Sequence, residues 1–213
     1  MRKKLTFIIP IFILTIISIV LTIKTIPTDS LSQNEIEQLR TMYPINDSQP
    51  ENIDAISVTL EDCIKTCDCY VEVEVISKPT EFIKSISIDS NTSEGALYEK
   101  AGGLTEFNFV KCEVRVIDDA FDNIKQNTIE ITYNSLFDVA MPSLDVGSRF
   151  IVGGVYNNKT DSIDIGSETI FYVTDDDYVL SLKSEASKNR HTGMKKEALF
   201  DYLQNTKKEI TTK

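Results

Sequence analysis

The chain has 213 residues, with 22 Lys and Arg against 33 Asp and Glu, a formal net charge of −11 and a single histidine. That length supports one domain with a real core beside any targeting segment. So acidic a surface repels phosphate backbones and anionic head groups, which excludes nucleic acid as a partner and makes basic partners easier to accept.

Leu5 to Ile23 is an uninterrupted run without a charge, preceded by Arg2, Lys3 and Lys4. At about 1.5 Å per residue a helix of this length is roughly 28 Å long, close to the hydrocarbon thickness of about 30 Å. The exit Leu21-Thr22-Ile23-Lys24-Thr25-Ile26-Pro27 has no small-residue cleavage pair, so the run reads as an uncleaved signal anchor. The basic cluster before it puts residues 1–4 in the cytoplasm and everything after the span outside. From Thr25 onward 18 basic residues face 33 acidic ones, a balance of −15.

Residues 24–58 read as a stem carrying a short helix: Ser32-Gln33-Asn34-Glu35 matches a capping box, Ile36, Leu39 and Tyr43 share one face, and Pro44 ends the pattern. Residues 59–213 read as the extracytoplasmic domain. Thr59 begins a second capped helix in which Leu60, Cys63, Ile64 and Cys67 form one stripe. The period then changes to two, with Cys69, Val71, Val73 and Val75 opposite Tyr70, Glu72 and Glu74, a half-buried strand. Ser77 to Thr105 is the least regular stretch; it holds a candidate edge strand around Phe82 to Ile88 and a short helix from Glu94 to Ala101. An excursion this long is the candidate binding segment.

Val110, Cys112, Val114 and Val116 share one face of the next strand, with Phe107, Phe109, Lys111, Glu113 and Arg115 on the other. Ile129, Ile131 and Tyr133 mark its antiparallel partner. Asn134 to Ser148 is a connection expected to cover apolar surface. Arg149 to Tyr156 is a nearly continuous apolar strand whose Gly153-Gly154 pair suggests a bulge, a barrel corner or a close approach. Asn157 to Asp161 and the residues up to Asp164 read as a turn region, Glu168 to Thr174 and Tyr178 to Leu182 as strands around Asp175-Asp176-Asp177. A closing helix of about three turns follows, capped by Thr192. The fold class is therefore mainly β with flanking helices: a small antiparallel OB-like barrel behind a single N-terminal transmembrane helix, with a β-sandwich as the rival.

The motifs Ser32-x-x-Glu35-Ile36-x-x-Leu39-Arg40-x-x-Tyr43-Pro44-Ile45, Thr59-Leu60-Glu61, Phe109-Val110-Lys111, Asp145-Val146-Gly147-Ser148-Arg149-Phe150, Tyr172-Val173-Thr174-Asp175-Asp176 and Thr192-Gly193-Met194-Lys195 resemble a family of uncharacterised exported or membrane-anchored small β-barrel proteins of Gram-positive bacteria. The resemblance implies compartment and barrel and supplies no activity. Cys67-x-Cys69 leading into a strand is also similar to netrin-like domains, whose inhibitory cysteine lies at a free N-terminus, whereas Cys67 is internal.

Cys63, Cys67, Cys69 and Cys112 all point toward the expected core, as free thiols or as one or two disulfides; a zinc site would need a second closely spaced pair. Asp175, Asp176 and Asp177, with Asp161 and Asp164, are weak candidates for Ca²⁺; a solvated turn explains the triplet without a metal and is the preferred reading, as no EF-hand spacing is present. His191 sits in a polar connection without a recognisable nucleophile motif. No catalytic residue and no cofactor is assigned. The expected function is a non-enzymatic binding or interaction module in the envelope with a protein partner; a metal-dependent hydrolase or inhibitor, or a structural spacer, are the alternatives.

Overall fold

The structure, a computed structural model, describes residues 30–51, 58–85 and 106–212. The signal anchor of residues 5–23 and the short helix at 94–101 lie outside them. Among the described residues no helix is long and apolar enough to cross a membrane. Leu31 to Lys213 makes a unit of its own.

Helix α1 (Gln33–Leu39) begins at the predicted box: Glu35 N lies 3.4 Å from Ser32 Oγ, and Ser32 N donates to Glu35 Oε2 at 2.8 Å. Its stripe of Ile36, Leu39 and Tyr43 packs on the core, and Arg40 donates to the Ser181 carbonyl at 2.8 Å. Helix α2 (Leu60–Thr66) starts at Thr59, whose hydroxyl accepts from Asp62 N, and strand β1 (Cys69–Val75) follows two residues after it.

The remaining elements are β2 (Thr80–Ser85), β3 (Glu106–Asp119), β4 (Thr128–Asn134), a 3-10 helix (Ser135–Ala140), β5 (Arg149–Asn157), β6 (Ser162–Val173), β7 (Val179–Ser181), α3 (Ala186–Asn189) and α4 (Lys196–Thr211). The protein is mainly β. Strands β1, β5, β6, β4 and β3 pair in that order, and β3 returns to β1, so five strands form a ring; β2 adds to β3 and β7 to β6. All these pairings are antiparallel except β4 with β6, which is parallel.

One core fills the inside of the ring with Val71, Val73, Cys112, Ile131, Phe150 and Ile163 among others. A second lies between the outer side of β1, β5 and β6 and the helices, where Leu60, Ile64, Leu199 and Leu203 meet Tyr70, Ile151 and Phe171. This second layer corrects the half-buried reading of β1. Tyr70 and Glu72, expected outside, are fully buried because α2 and α4 cover that face. Glu72 is held by Arg149 Nε at 2.9 Å and Lys196 Nζ at 2.6 Å.

Both glycine expectations in β5 are met. A Cβ on Gly153 would stand 2.4 Å from the Tyr70 ring, and one on Gly154 would stand 2.4 Å from the Asp164 carbonyl oxygen. The pairing of β5 with β6 shifts register between Val152 and Gly154.

Three local readings change. Strand β6 begins at Ser162 rather than Glu168 and takes in Asp164, read as part of the turn region, since Ile163 and Ile165 alternate inward with Asp164 and Gly166 outward. Helix α4 starts at Lys195 without a side-chain cap, because Thr192 Oγ1 accepts from Ser181 N at 3.1 Å instead. The connection after β4 exposes Leu136, Phe137 and Val139 while burying Ala140, Met141 and Leu144.

Candidate functional site

Among the described residues the α-helices pack on the outer side of β1, β5 and β6, and none lies over the outward residues of β2, β3 and β4, the bare side. On the bare side the outward residues of β2, β3, β4 and β6 lie in rows. Phe82 stands opposite Phe109, Lys111 opposite Thr132, and Thr132 beside Asp164. The Phe82 and Phe109 rings are 5.9 Å apart, tilted by 50°. Lys84 is gripped by both carboxylate oxygens of Asp164, at 2.9 and 2.8 Å, and its ammonium lies 4.7 Å from the centre of the Phe109 ring. Lys111 pairs with Glu130 at 2.7 Å. Thr132 donates a short hydrogen bond to Asp164.

Strands β4 and β6 pair over only three residues each and then separate. The gap is a cavity of about 480 Å³ between Asp164–Glu168 of β6, the 3-10 helix and Ser48–Pro50. That size is within the ordinary range for small-molecule sites. Phe109, Phe137, Met141 and Ile165 give it an apolar lining, and Lys84, Lys183, Asp164 and Glu168 supply the charges.

A bulge in β6 shapes its floor. Four residues, Gly166 to Thr169, stand against the single Gly153 of β5, and the Thr169 hydroxyl lies 2.7 Å from the Gly153 carbonyl and 2.8 Å from that of Gly166. Bulges of this kind re-aim side chains beside functional sites. Here it turns Glu168 toward two lysines: Lys188, buried and donating also to the Val58 carbonyl at 2.6 Å, and Lys183, whose ammonium is 3.6 Å from Glu168 Oε1. A larger cleft of about 680 Å³ lies between Pro79–Glu81 and Met141–Leu144, but its polar pair, Tyr133 and Asp138, is self-satisfied at 2.8 Å.

The other sequence candidates lie elsewhere. Cys63, Cys67, Cys69 and Cys112 are all buried free thiols. Burial pushes the Cys63 thiol up to about 11 and raises the other three. Asp177 pairs with Arg149 at 2.6 Å and lies 4.0 Å from Lys196; the Arg149 hydrogen bond lowers its carboxyl. Among the described residues no three His, Cys, Asp or Glu side chains gather as metal ligands. Asp164 belongs to the bare face, bound by Lys84. His191 is buried, its ring centroid 4.3 Å from that of Tyr202, with Nε2 accepting from Arg190 Nε at 3.1 Å and Nδ1 without a partner.

Of the binding excursion at 77–105, the described part places Lys84 in the wall of the cavity. Sequence reasoning missed Lys183, Glu168 and Gly166. The alternation Ser162-Ile163-Asp164-Ile165-Gly166 was the available signal for the last, and nothing local marks the other two as neighbours. No protein-family model matches this chain, and no curated protein sequence is similar to it.

Proposed function

We propose that the protein is a non-enzymatic binding module, held outside the cell by residues 5–23 and taking its ligand on the bare face of the strand ring. The ring is an OB-like barrel. Taken in chain order its five strands close as first, second, third, fifth, fourth and back to first, with the third and fifth parallel, which is the Greek-key circuit of that fold. In OB-folds the face of the second and third strands, with the loop joining the first two, carries ligands; here those strands are β3 and β4 and that connection includes β2. The observation that carries the reading is the apolar cavity with four charged residues in its wall, beside the side of the ring that no α-helix covers among the described residues.

Photo-crosslinking in intact cells tests it. A crosslinker at position 82, on the bare face, is expected to give adducts absent when it is placed at position 205 on the exposed side of α4. Identical adducts from both positions, or none from position 82, would sink the reading. Protease added to intact cells should degrade the chain beyond residue 30; its survival there would overturn the topology.

A further inference from the structure

We propose that the cavity between β4 and β6 binds a small amphiphile, with a single carboxylate set against Lys183 and an apolar body over Ile165, Met141 and Phe137. This rests on the binding-module reading and supplies its ligand class.

At the floor of the cavity two lysines face Glu168 and, further off, Asp47. Lys183 and Lys188 share one carboxylate, Glu168. Lys188 holds it closely and has the Val58 carbonyl as a second acceptor. The Lys183 side chain is only 6% exposed, yet among the described residues its ammonium makes no hydrogen bond and has Glu168, at 3.6 Å, as its single ion-pair partner. The neighbouring Asp47 forms no ion pair with either lysine; its carboxylate accepts from Ser184 N at 3.0 Å. An ammonium has three donors, and those of Lys183 reach the cavity without a hydrogen-bond acceptor among the described residues. A ligand carboxylate supplies acceptors for them. Lys84 does not compete for it, being already chelated by Asp164.

The rest of the lining selects what the carboxylate is attached to. Phe137 is 37% exposed at the rim, and Ile165, Met141 and Phe109 lie within, so an apolar body gains by entering. Gly166 faces this space: a Cβ there would meet nothing within 4 Å. Its missing side chain keeps the cavity open, and a larger residue at 166 fills it without touching the core.

Calorimetric titration of the full-length chain in lipid nanodiscs, with empty nanodiscs subtracted, tests this using 4-phenylbutyrate, 4-phenylbutylamine and 4-phenylbutanol. Saturable binding of the carboxylate is expected, with the amine not bound and the alcohol at least tenfold weaker. Lys183→Gln should weaken carboxylate binding at least tenfold. Gly166→Leu should abolish it while leaving the unliganded melting temperature unchanged, and Lys111→Gln, on the same face but paired to Glu130, should leave it intact. No saturable carboxylate binding, equal affinity in the wild type and both cavity variants, or an amine that binds as tightly as the acid would each overturn the proposal. Position-82 adducts that persist when the carboxylate fails would remove this ligand class alone; loss of both would remove the module reading as well.

Discussion

The ring of Tyr70 occupies the space that a side chain at position 153 would need, with its Cζ 2.4 Å from where that Cβ would stand. Tyr70 is fully buried between β1, β5 and the helices, so the ring cannot swing away. Gly153→Ala is therefore expected to cost about 1–3 kcal/mol through overpacking, measured by urea denaturation. A loss below about 0.5 kcal/mol would show that the layer yields more than its geometry implies.

The same tyrosine carries a buried hydroxyl with no well-formed hydrogen bond among the described residues and the Cys67 thiol, a weak acceptor, beside it. Little hydrogen-bond energy is at stake, so Tyr70→Phe should be neutral or stabilising. A clear loss of stability in that variant would reveal a partner for the hydroxyl.

Glu72, 0% exposed, joins β1 to Arg149 on β5 and to Lys196 at the start of α4, and Arg149 in turn holds Asp177. Removing the central carboxylate leaves two cations facing each other in a partly buried site. Glu72→Ala should cost about 3 kcal/mol or more, whereas Lys65→Ala, which breaks the exposed pair with Asp62, should stay within about 0.5 kcal/mol. Equal effects would mean that burial does not set the energy of these pairs.

Burial, with the Arg190 charge beside it, lowers the His191 pKa to about 4, while Glu61 raises it slightly. The folded value lies below the unfolded one of about 6.5, so the stability is fully present above pH 6.5 and is lost as the pH falls toward 4. Between pH 6.5 and 4.5 the wild type should lose about 2 kcal/mol more than His191→Phe. Parallel stability curves for the two proteins would contradict this.

The four buried thiols should resist alkylation by iodoacetamide at pH 8 in the native protein and react together in urea. Mass spectrometry counts the adducts. Fast labelling of Cys63 without denaturant, despite a pKa of about 11, would show that α2 opens readily.

Local pattern was enough for most elements and not for the site. The box at Ser32, the cap at Thr59, the switch of period after Cys67 and the alternation from Val110 to Val116 are each written within a few neighbouring residues and appear in the structure, although at Thr59 only the hydroxyl half of the expected box forms. Tyr70 and Glu72 misled because alternation reports two faces without saying whether a helix distant in sequence will cover the second. The start of β6 misled because Asp161 and Asp164 look like turn residues until Lys84, 80 positions earlier, supplies a partner for Asp164. Glu168 reads as the start of a strand, and nothing local marks Lys183 and Lys188 as its neighbours; a bulge and a short helix bring the three together, and neither has a strong local signature.

The parallel contact of β4 with β6 consists of three register pairs, against seven for β3 with β4. Breathing of the ring should begin along this short stitch, because parting it breaks the fewest ladder bonds. Amide protons there are expected to exchange with deuterium well before those of β1, and an occupant wedged beside the stitch would slow that exchange by bracing the two strands. The weakest closure of the ring is thus also the one that borders its apolar cavity.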